Sequence, residues 1–402
     1  MKIGILREGK TPPDKRVPLT PEQCVEVEQI FPHVSIVVQP SSIRCFKDED
    51  YSKLGIEVRE NLSDCSVLLG VKEVKINDFI EGKTYLFFSH TIKKQEYNRK
   101  LLQTVLEKKV QLVDYEVLTN KDGFRIIGFG RFAGLVGAYN GFRAFGLREK
   151  LFELKPAHQC NDLVEMYYEL DNIKLPPIKI AVTGDGRVSG GVLEVLNHLK
   201  IKRVSTDDFL KDDAPEKPEY VQLLPGNYTR RKDGADFDLM HFFNHPEMYE
   251  NAFQPFSKQS DLLIAAAYWD PKAPVLFTGN EMKQKDFKIT VISDITCDIE
   301  GSIPSTKKAS TIDDPFYDFN PATGELEPAF SSKENITVQA VDNLPCELPK
   351  DASLGFGRNL IDKVFPSLFD KDDDGIVERA SITKDGKLTK RFWYLQDFAD
   401  GK

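Results

Sequence analysis

The chain has 402 residues, too many for one ordinary domain, and 41% of them are hydrophobic, enough for sizeable cores. A formal net charge of −9 argues against a nucleic-acid surface as the main function. Six irregularly spaced cysteines, none in a Cys-x-x-Cys pair, disfavour a structural zinc site or a disulfide framework and suit a reducing compartment.

The first residues, MKIGILREGKTPPDKR, carry charges and no apolar core, so they do not read as a secretory signal. No apolar run reaches the roughly 18 residues needed to span a bilayer. A cytoplasmic protein without a membrane partner is expected. KIGIL reads as a buried strand. TPEQCVEVEQIF follows as a helix, with a Thr cap and Pro at its first position. HVSIVVQP, SVLLGVKEV and TYLFFSH read as strands, NRKLLQTVLEKKV as an amphipathic helix and QLVDYEVL as a further strand. This alternation implies an α/β domain with a mostly parallel sheet. From Gly130 to Leu154, small residues recur among aromatics, which predicts a long, closely packed helix able to cross between domains. A second alternating region begins at KLPPIKIAV, with later strands in SDLLIAAAY and FKITVISDI, and ITVQAVDNLPCELP and a helix in ASLGFGRNLIDKVF lead into a C-terminal segment.

VTGDGRVSGG, residues 182–191, lies between the strand IKIAV and the helical pattern VLEVLNHLK. Gly184 and Gly186 fit G-x-G-x-x-G, but Ser189 occupies the third glycine position. Taken alone, the stretch is either a nucleotide loop or a glycine-rich turn. Free N–H groups at such a helix start bind phosphate without side chains. The acidic ribose ligand of such loops falls about 20 residues on. There KRVSTDDFL offers Ser205, Thr206, Asp207 and Asp208 beside Lys202 and Arg203, which leaves NAD or NADP open.

In the N-terminal half, Lys72 and His90 follow buried strands, where α/β folds bind ligands. A Lys and a His beside a cofactor make a proton-transfer pair. Arg16, Lys93 and Arg125 could hold carboxylates. Glu73 reads as an ion-pair partner of Lys72 or a surface charge. His241 and His245 have i,i+4 spacing but lack a third ligand, and Tyr268 and Trp269 read as packing residues. Cys297 reads as a small buried filler. Asp370, Asp372, Asp374 and Gly375 match half a calcium loop, but Ser381 replaces the closing Glu, so a solvated turn is expected. No metal site is expected.

LREGKTPPDKRVPLTP, LLGVKE and LFFSH resemble the alanine dehydrogenase and pyridine nucleotide transhydrogenase N-terminal domain. HTIKKQ, DYEVLTNKDGFRIIGFGRFAG, VTGDGRVSGG, NHPEMY, AAAYWDP, DITCDIEGSI and DNLPCELP resemble the saccharopine dehydrogenase and lysine-ketoglutarate reductase branch, over nearly the whole chain. The resemblance implies that Lys72 and His90 form the acid–base pair. It further implies that Arg16 binds a substrate carboxylate, that Lys10, Lys93, Glu116 and Arg125 line the same cleft, and that Phe129 walls the nicotinamide. Asp298 would face the site from the nucleotide domain. Gly184, Gly186, Arg187, Val188, Ser189 and Gly190, with Ser205, Thr206 and Asp207, would bind cofactor, Ser189 through a phosphate. Asp342, Asn343 and Leu344 would return beside it.

The expected fold is α/β: two Rossmann-like domains with parallel sheets flanked by helices and a cleft between them. Residues 1–130 plus 344–402 would form the substrate domain and residues 131–343 the dinucleotide-binding domain. Closure would bring Asp298 and the nicotinamide to Lys72 and His90. The implied activity is NAD- or NADP-dependent interconversion of saccharopine with lysine and 2-oxoglutarate, by a monomer or homo-oligomer. An alanine-type dehydrogenase and a non-catalytic nucleotide-binding module are the alternatives.

Overall fold

The computed structural model describes residues 1–402. They form two compact units, residues 1–129 with 349–402, and residues 130–348. The second unit is thus inserted into the first.

The first unit opens with strands β1 (Lys2–Ile5), β2 (Ser35–Val38), β3 (Glu57–Val58), β4 (Val67–Leu69), β5 (Thr84–Phe87) and β6 (Gln111–Asp114). The helix Pro21–Ile30 starts as its sequence predicts: Thr20 Oγ1 accepts from Gln23 N at 3.3 Å, Gln23 Oε1 accepts from Thr20 N at 3.1 Å, and Pro21 needs no acceptor. The helix Glu96–Glu107 buries Leu101, Leu102 and Val105 on one stripe. That stripe packs on Leu68, Tyr85 and Phe87 of the sheet.

The second unit contributes β7 (Lys179–Thr183), β8 (Lys202–Arg203), β9 (Glu219–Leu223), β10 (Thr229–Arg231), β11 (Tyr249–Asn251), β12 (Leu262–Ala265), β13 (Val291–Asp294), β14 (Phe316–Phe319), β15 (Leu326–Glu327) and β16 (Ile336–Gln339). The chain then re-enters the first unit and adds β17 (Ser381–Lys384) and β18 (Lys387–Leu388).

The first sheet has the order β18-β17-β6-β5-β4-β1-β2-β3, and the second β15-β14-β16-β13-β12-β7-β9-β8. Both are parallel through their centres. Each is closed on one side by antiparallel strands, β17 and β18 in the first and β14 and β15 in the second, so the sheets are parallel-rich, as expected, with an antiparallel edge. The central strands β4, β7, β12 and β13 are buried along their whole length, as parallel strands covered on both faces must be.

The glycine-rich stretch forms one helix, Gly130–Glu149, inside the second unit. A Cβ on Gly134 would lie 1.9 Å from Val188 O, and one on Gly191 would lie 2.0 Å from Arg131 O. The small residues therefore let this helix and Arg187–His198 touch backbone to backbone.

The acidic stretch near the C-terminus is a capping turn. Asp372 accepts from Ile376 N at 2.7 Å and Glu378 N at 2.8 Å, while Asp374 meets Lys121 at 2.5 Å. Across the chain, no group of three or more His, Cys, Asp or Glu side chains is placed to hold a metal ion. No helix is long and apolar enough to cross a membrane.

Candidate active site

In the first unit, the charged residues gather at the C-terminal ends of β1, β4, β5 and β6. Lys72 leaves the end of β4, and Glu8 beyond β1 fixes its backbone: the carboxylate accepts from Val71 N at 2.7 Å and Lys72 N at 2.8 Å. Burial pushes Glu8 up to about 8, against the lowering effect of those two hydrogen bonds. Burial also lowers the Lys72 ammonium pKa, and nearby Arg16 and Lys10 lower it further.

His90 follows β5 with φ 55°, a left-handed conformation that costs a residue with a Cβ roughly 1–2 kcal/mol. Its neighbour holds it there: Ser89 donates from N at 3.1 Å, and also from Oγ, to Asp114 Oδ2 at the end of β6. Burial raises Asp114 to about 6, against the lowering effect of the Ser89 hydrogen bond. The His90 ring lies between two acids. Nδ1 is 3.2 Å from Glu116 Oε2, and Nε2 is 3.7 Å from Glu73 Oε1. Burial alone would raise Glu116, but His90, Lys93 and Arg125 overcome it and hold the carboxyl at about 2. Lys93 Nζ is 3.4 Å from Glu116, and Lys10 Nζ is 3.3 Å from Glu73. Both Glu73 oxygens are buried and receive no hydrogen bond, so they meet their partners only as charges. The Arg125 guanidinium lies over the Phe88 ring at 5.3 Å. A groove of about 570 Å³, lined in part by Lys10, Glu73, Lys75 and Tyr97, leads away from Glu73.

Arg16, expected to bind a substrate carboxylate, is paired within the first unit. It is 2% exposed, and its Nε and Nη2 donate to Asp14 at 3.0 and 2.6 Å. Phe129 covers its face at 4.1 Å and stacks on Phe356 at 4.5 Å. Arg16 is therefore a buried charge held through one edge of its guanidinium by Asp14.

In the second unit, β7 leads into Gly184, whose φ of +93° suits glycine, and a Cβ there would lie 3.0 Å from Ala267 Cα. Gly186 caps the helix Arg187–His198 without a side-chain bond. A Cβ on Gly186 or Gly190 would meet nothing within 4 Å. Open space therefore lies over unpaired N–H groups of a helix start, a cradle fit for a dinucleotide's phosphates. Arg187 is exposed beside it.

Ser189 is fully buried and its Oγ donates to Gly186 O at 3.1 Å, so this hydroxyl is turned into the helix and not toward a phosphate. Leu344 is 2% exposed and packs toward the helix Gly130–Glu149. Ser205, Thr206 and Asp207 follow β8 at the sheet edge, and Ser205 is spent capping its short helix. The strand beside β7 is β9, where Gly184 N donates to Leu223 O at 2.8 Å and Gln222 Nε2 donates to Gly184 O at 2.8 Å. β9 ends in Leu223–Leu224, without a carboxylate. Val188 packs near Gly130 and Gly134. Asp298 and Asp342 are exposed beyond β13 and β16, and Asn343 donates to Cys346 Sγ at 3.0 Å. Tyr268, expected to pack, is 87% exposed. Cys297 is only partly buried, and its Sγ donates to Ala340 O at 3.0 Å. His241 is 3.1 Å from the Tyr249 hydroxyl and belongs to a structural contact.

Glu8, Asp14, Asp114 and Gln222 escaped the sequence reading. Only Glu8 and Asp14 carried a signal, as charges beside Lys10 and Arg16 in the loop after β1.

Residues 4–136 match the family model "Alanine dehydrogenase/PNT, N-terminal domain". The whole chain also superposes on a solved L-alanine dehydrogenase, with a TM-score of 0.67 at 15% identity, covering 100% of this chain and 99% of that one. More particularly, the chain is related to the alpha-aminoadipic semialdehyde synthase of Arabidopsis thaliana, 30% identical over 98% of this chain and 41% of that protein. It is 24% identical to the NAD(+), L-lysine-forming saccharopine dehydrogenase of Emericella nidulans, over 92% of each. The chain spans less than half the length of the semialdehyde synthases it matches.

Proposed function

We propose that the chain is a nicotinamide-dependent oxidoreductase that interconverts saccharopine with lysine and 2-oxoglutarate. The observation that carries this reading is the half-buried Lys72, next in the chain to Glu73, with His90 gripped between Glu73 and Glu116. The bound nicotinamide supplies the hydride exchange at the carbon bearing the secondary amine. The residues of the first unit manage the protons. Burial and Arg16 favour neutral Lys72, which suits it to accept a proton near neutral pH. Lys72 Nζ and a His90 ring nitrogen exchange protons with the substrate nitrogen and with the oxygen of the water that opens the imine. Glu116 keeps the His90 ring oriented. The unsatisfied Glu73 oxygens gain a donor when the substrate's N–H arrives. Lys10, Lys93 and Arg125 supply cations for a substrate with three carboxylates, and the groove beyond Glu73 leaves room for a long arm.

In the second unit, Gly184, Gly186, Arg187 and Gly190 hold the diphosphate, and Asp298, Asp342 and Asn343 belong to the nicotinamide end. β9 ends without the acid that would exclude a 2′-phosphate, so both NADH and NADPH are candidates. All six cysteines are free, which suits a reducing compartment such as the cytoplasm. The test is oxidation of NADH and of NADPH with lysine plus 2-oxoglutarate, compared with pyruvate plus ammonia. Turnover confined to the pyruvate pair would replace this reading with an alanine-type dehydrogenase.

A further inference from the structure

The hairpin that carries Arg125 belongs to neither large sheet. Asn120 N donates to Phe124 O at 2.9 Å and Ile126 N to Leu118 O at 3.0 Å, so Thr119 and Arg125 face each other between those two bonds. Leu118 and Ile127 are fully buried at its root, and Phe124 near its tip is 72% exposed. A two-stranded hairpin on its own is marginally stable in water, so its outer part needs an outside hold to keep a fixed place.

We infer that Arg379 supplies that hold and is a positioning residue for Arg125, with the acidic turn at 370–375 as its bracket. The inference rests on Arg125 being a substrate-carboxylate ligand, as proposed above.

In an antiparallel pair that lies between two ladder bonds, each residue turns its own N–H and carbonyl outward. The Thr119 carbonyl is therefore left to an outside donor, and the Arg379 guanidinium takes that place. Its Nη2 donates to Thr119 O at 2.8 Å, while Nη1 donates to Asp374 O at 2.5 Å. A planar fork spans two carbonyls in a fixed geometry, which a lysine ammonium on its flexible stem does not. Arg379 is itself held: it sits on the short helix Ile376–Ala380, whose first N–H groups Asp372 caps. Lys121, at the turn of the hairpin, meets Asp374 as well, so the C-terminal turn grips the hairpin twice. What the hairpin delivers is the place of one cation. The Arg125 guanidinium lies over Phe88 and along Gly128, where a Cβ would be 3.6 Å from Nη2, and its charge reaches Glu116 beside His90.

Steady-state KM and kcat for lysine, 2-oxoglutarate and the nicotinamide cofactor test this, with urea unfolding of each variant in parallel. R125M should raise KM for lysine or for 2-oxoglutarate about 10- to 100-fold, the loss of a charged hydrogen bond. R379M should raise the same KM about tenfold, with kcat within about threefold of the parent and the cofactor KM unchanged, because it loosens binding and spares the chemistry. R379K should fall between the parent and R379M. In the R125M background R379M should add nothing, because the side chain it places is gone. K371M, which breaks the exposed Lys371–Asp373 pair of the same turn, should match the parent. If R379M leaves every KM in place, or raises KM equally with and without Arg125, the inference is overturned and the proposed function stands. Should R379M not fold, R379K decides by the same two comparisons. If R125M changes neither KM, Arg125 is no ligand and the inference falls, while turnover of lysine with 2-oxoglutarate upholds the enzyme. Without such turnover in the parent, both fall.

Discussion

The Asp14–Arg16 pair offers a test of how the first unit tunes its lysine. Arg16 and Asp14 are 2% and 1% exposed and share two side-chain hydrogen bonds, at 3.0 and 2.6 Å. Replacing Asp14 with Asn removes the countercharge and strands a guanidinium in the interior. Breaking a buried pair from one side costs about 3–5 kcal/mol. Urea unfolding of D14N should show a loss in that range, and D14N with R16M should recover part of it, with a coupling of about 1–3 kcal/mol. The pair also acts on Lys72 in opposite senses, because Asp14 raises its pKa and Arg16 lowers it. The acidic limb of the pH–rate profile should therefore move to lower pH in D14N and to higher pH in R16M. If D14N unfolds within about 1 kcal/mol of the parent and the two limbs move the same way, the argument is refuted.

Lys72→Met should lower kcat/KM by about 100-fold or more while leaving NADPH affinity unchanged, as pre-steady-state and binding assays would show. Glu116 supplies a pH signature. Its folded pKa of about 2 lies below its ordinary 4.5, so its stabilisation is present above about pH 4.5 and is lost as pH falls toward 2. At about 1.4 kcal/mol per pH unit, the stake is at most about 3 kcal/mol. E116Q should flatten that part of the stability–pH curve, and an unchanged curve would remove Glu116 from the network. The two kinds of loop glycine should part company. G191A forces a Cβ to within 2.0 Å of Arg131 O and should cost about 1–3 kcal/mol or more in thermal melts. G186A enters open space and should melt like the parent while weakening dinucleotide binding.

The strand–helix alternation, the helix start at Thr20 and the glycine loop were legible because each is local: a periodicity, a capping box, a turn. Lys72 and His90 were legible because each ends a buried strand. What the sequence hid was order in space. β8 follows the glycine-loop helix in the chain, yet β9 takes the place beside β7, so counting forward from the loop led to Ser205 and missed Gln222. Arg16 was legible as a charge in the loop after β1, but nothing local reveals that Asp14 folds back onto it under Phe129.

The inserted second unit has a consequence for biosynthesis. β6 pairs with β17 through Val113 and Ser381 and through Leu112 and Thr383. While the chain emerges from the ribosome, β6 must wait through the whole intervening unit for its neighbour. Until then it is a bare edge, rich in Leu and Val, open to pairing with another nascent chain. Slow synthesis of the C-terminal segment, or its removal, should therefore lead to aggregation before activity can be lost.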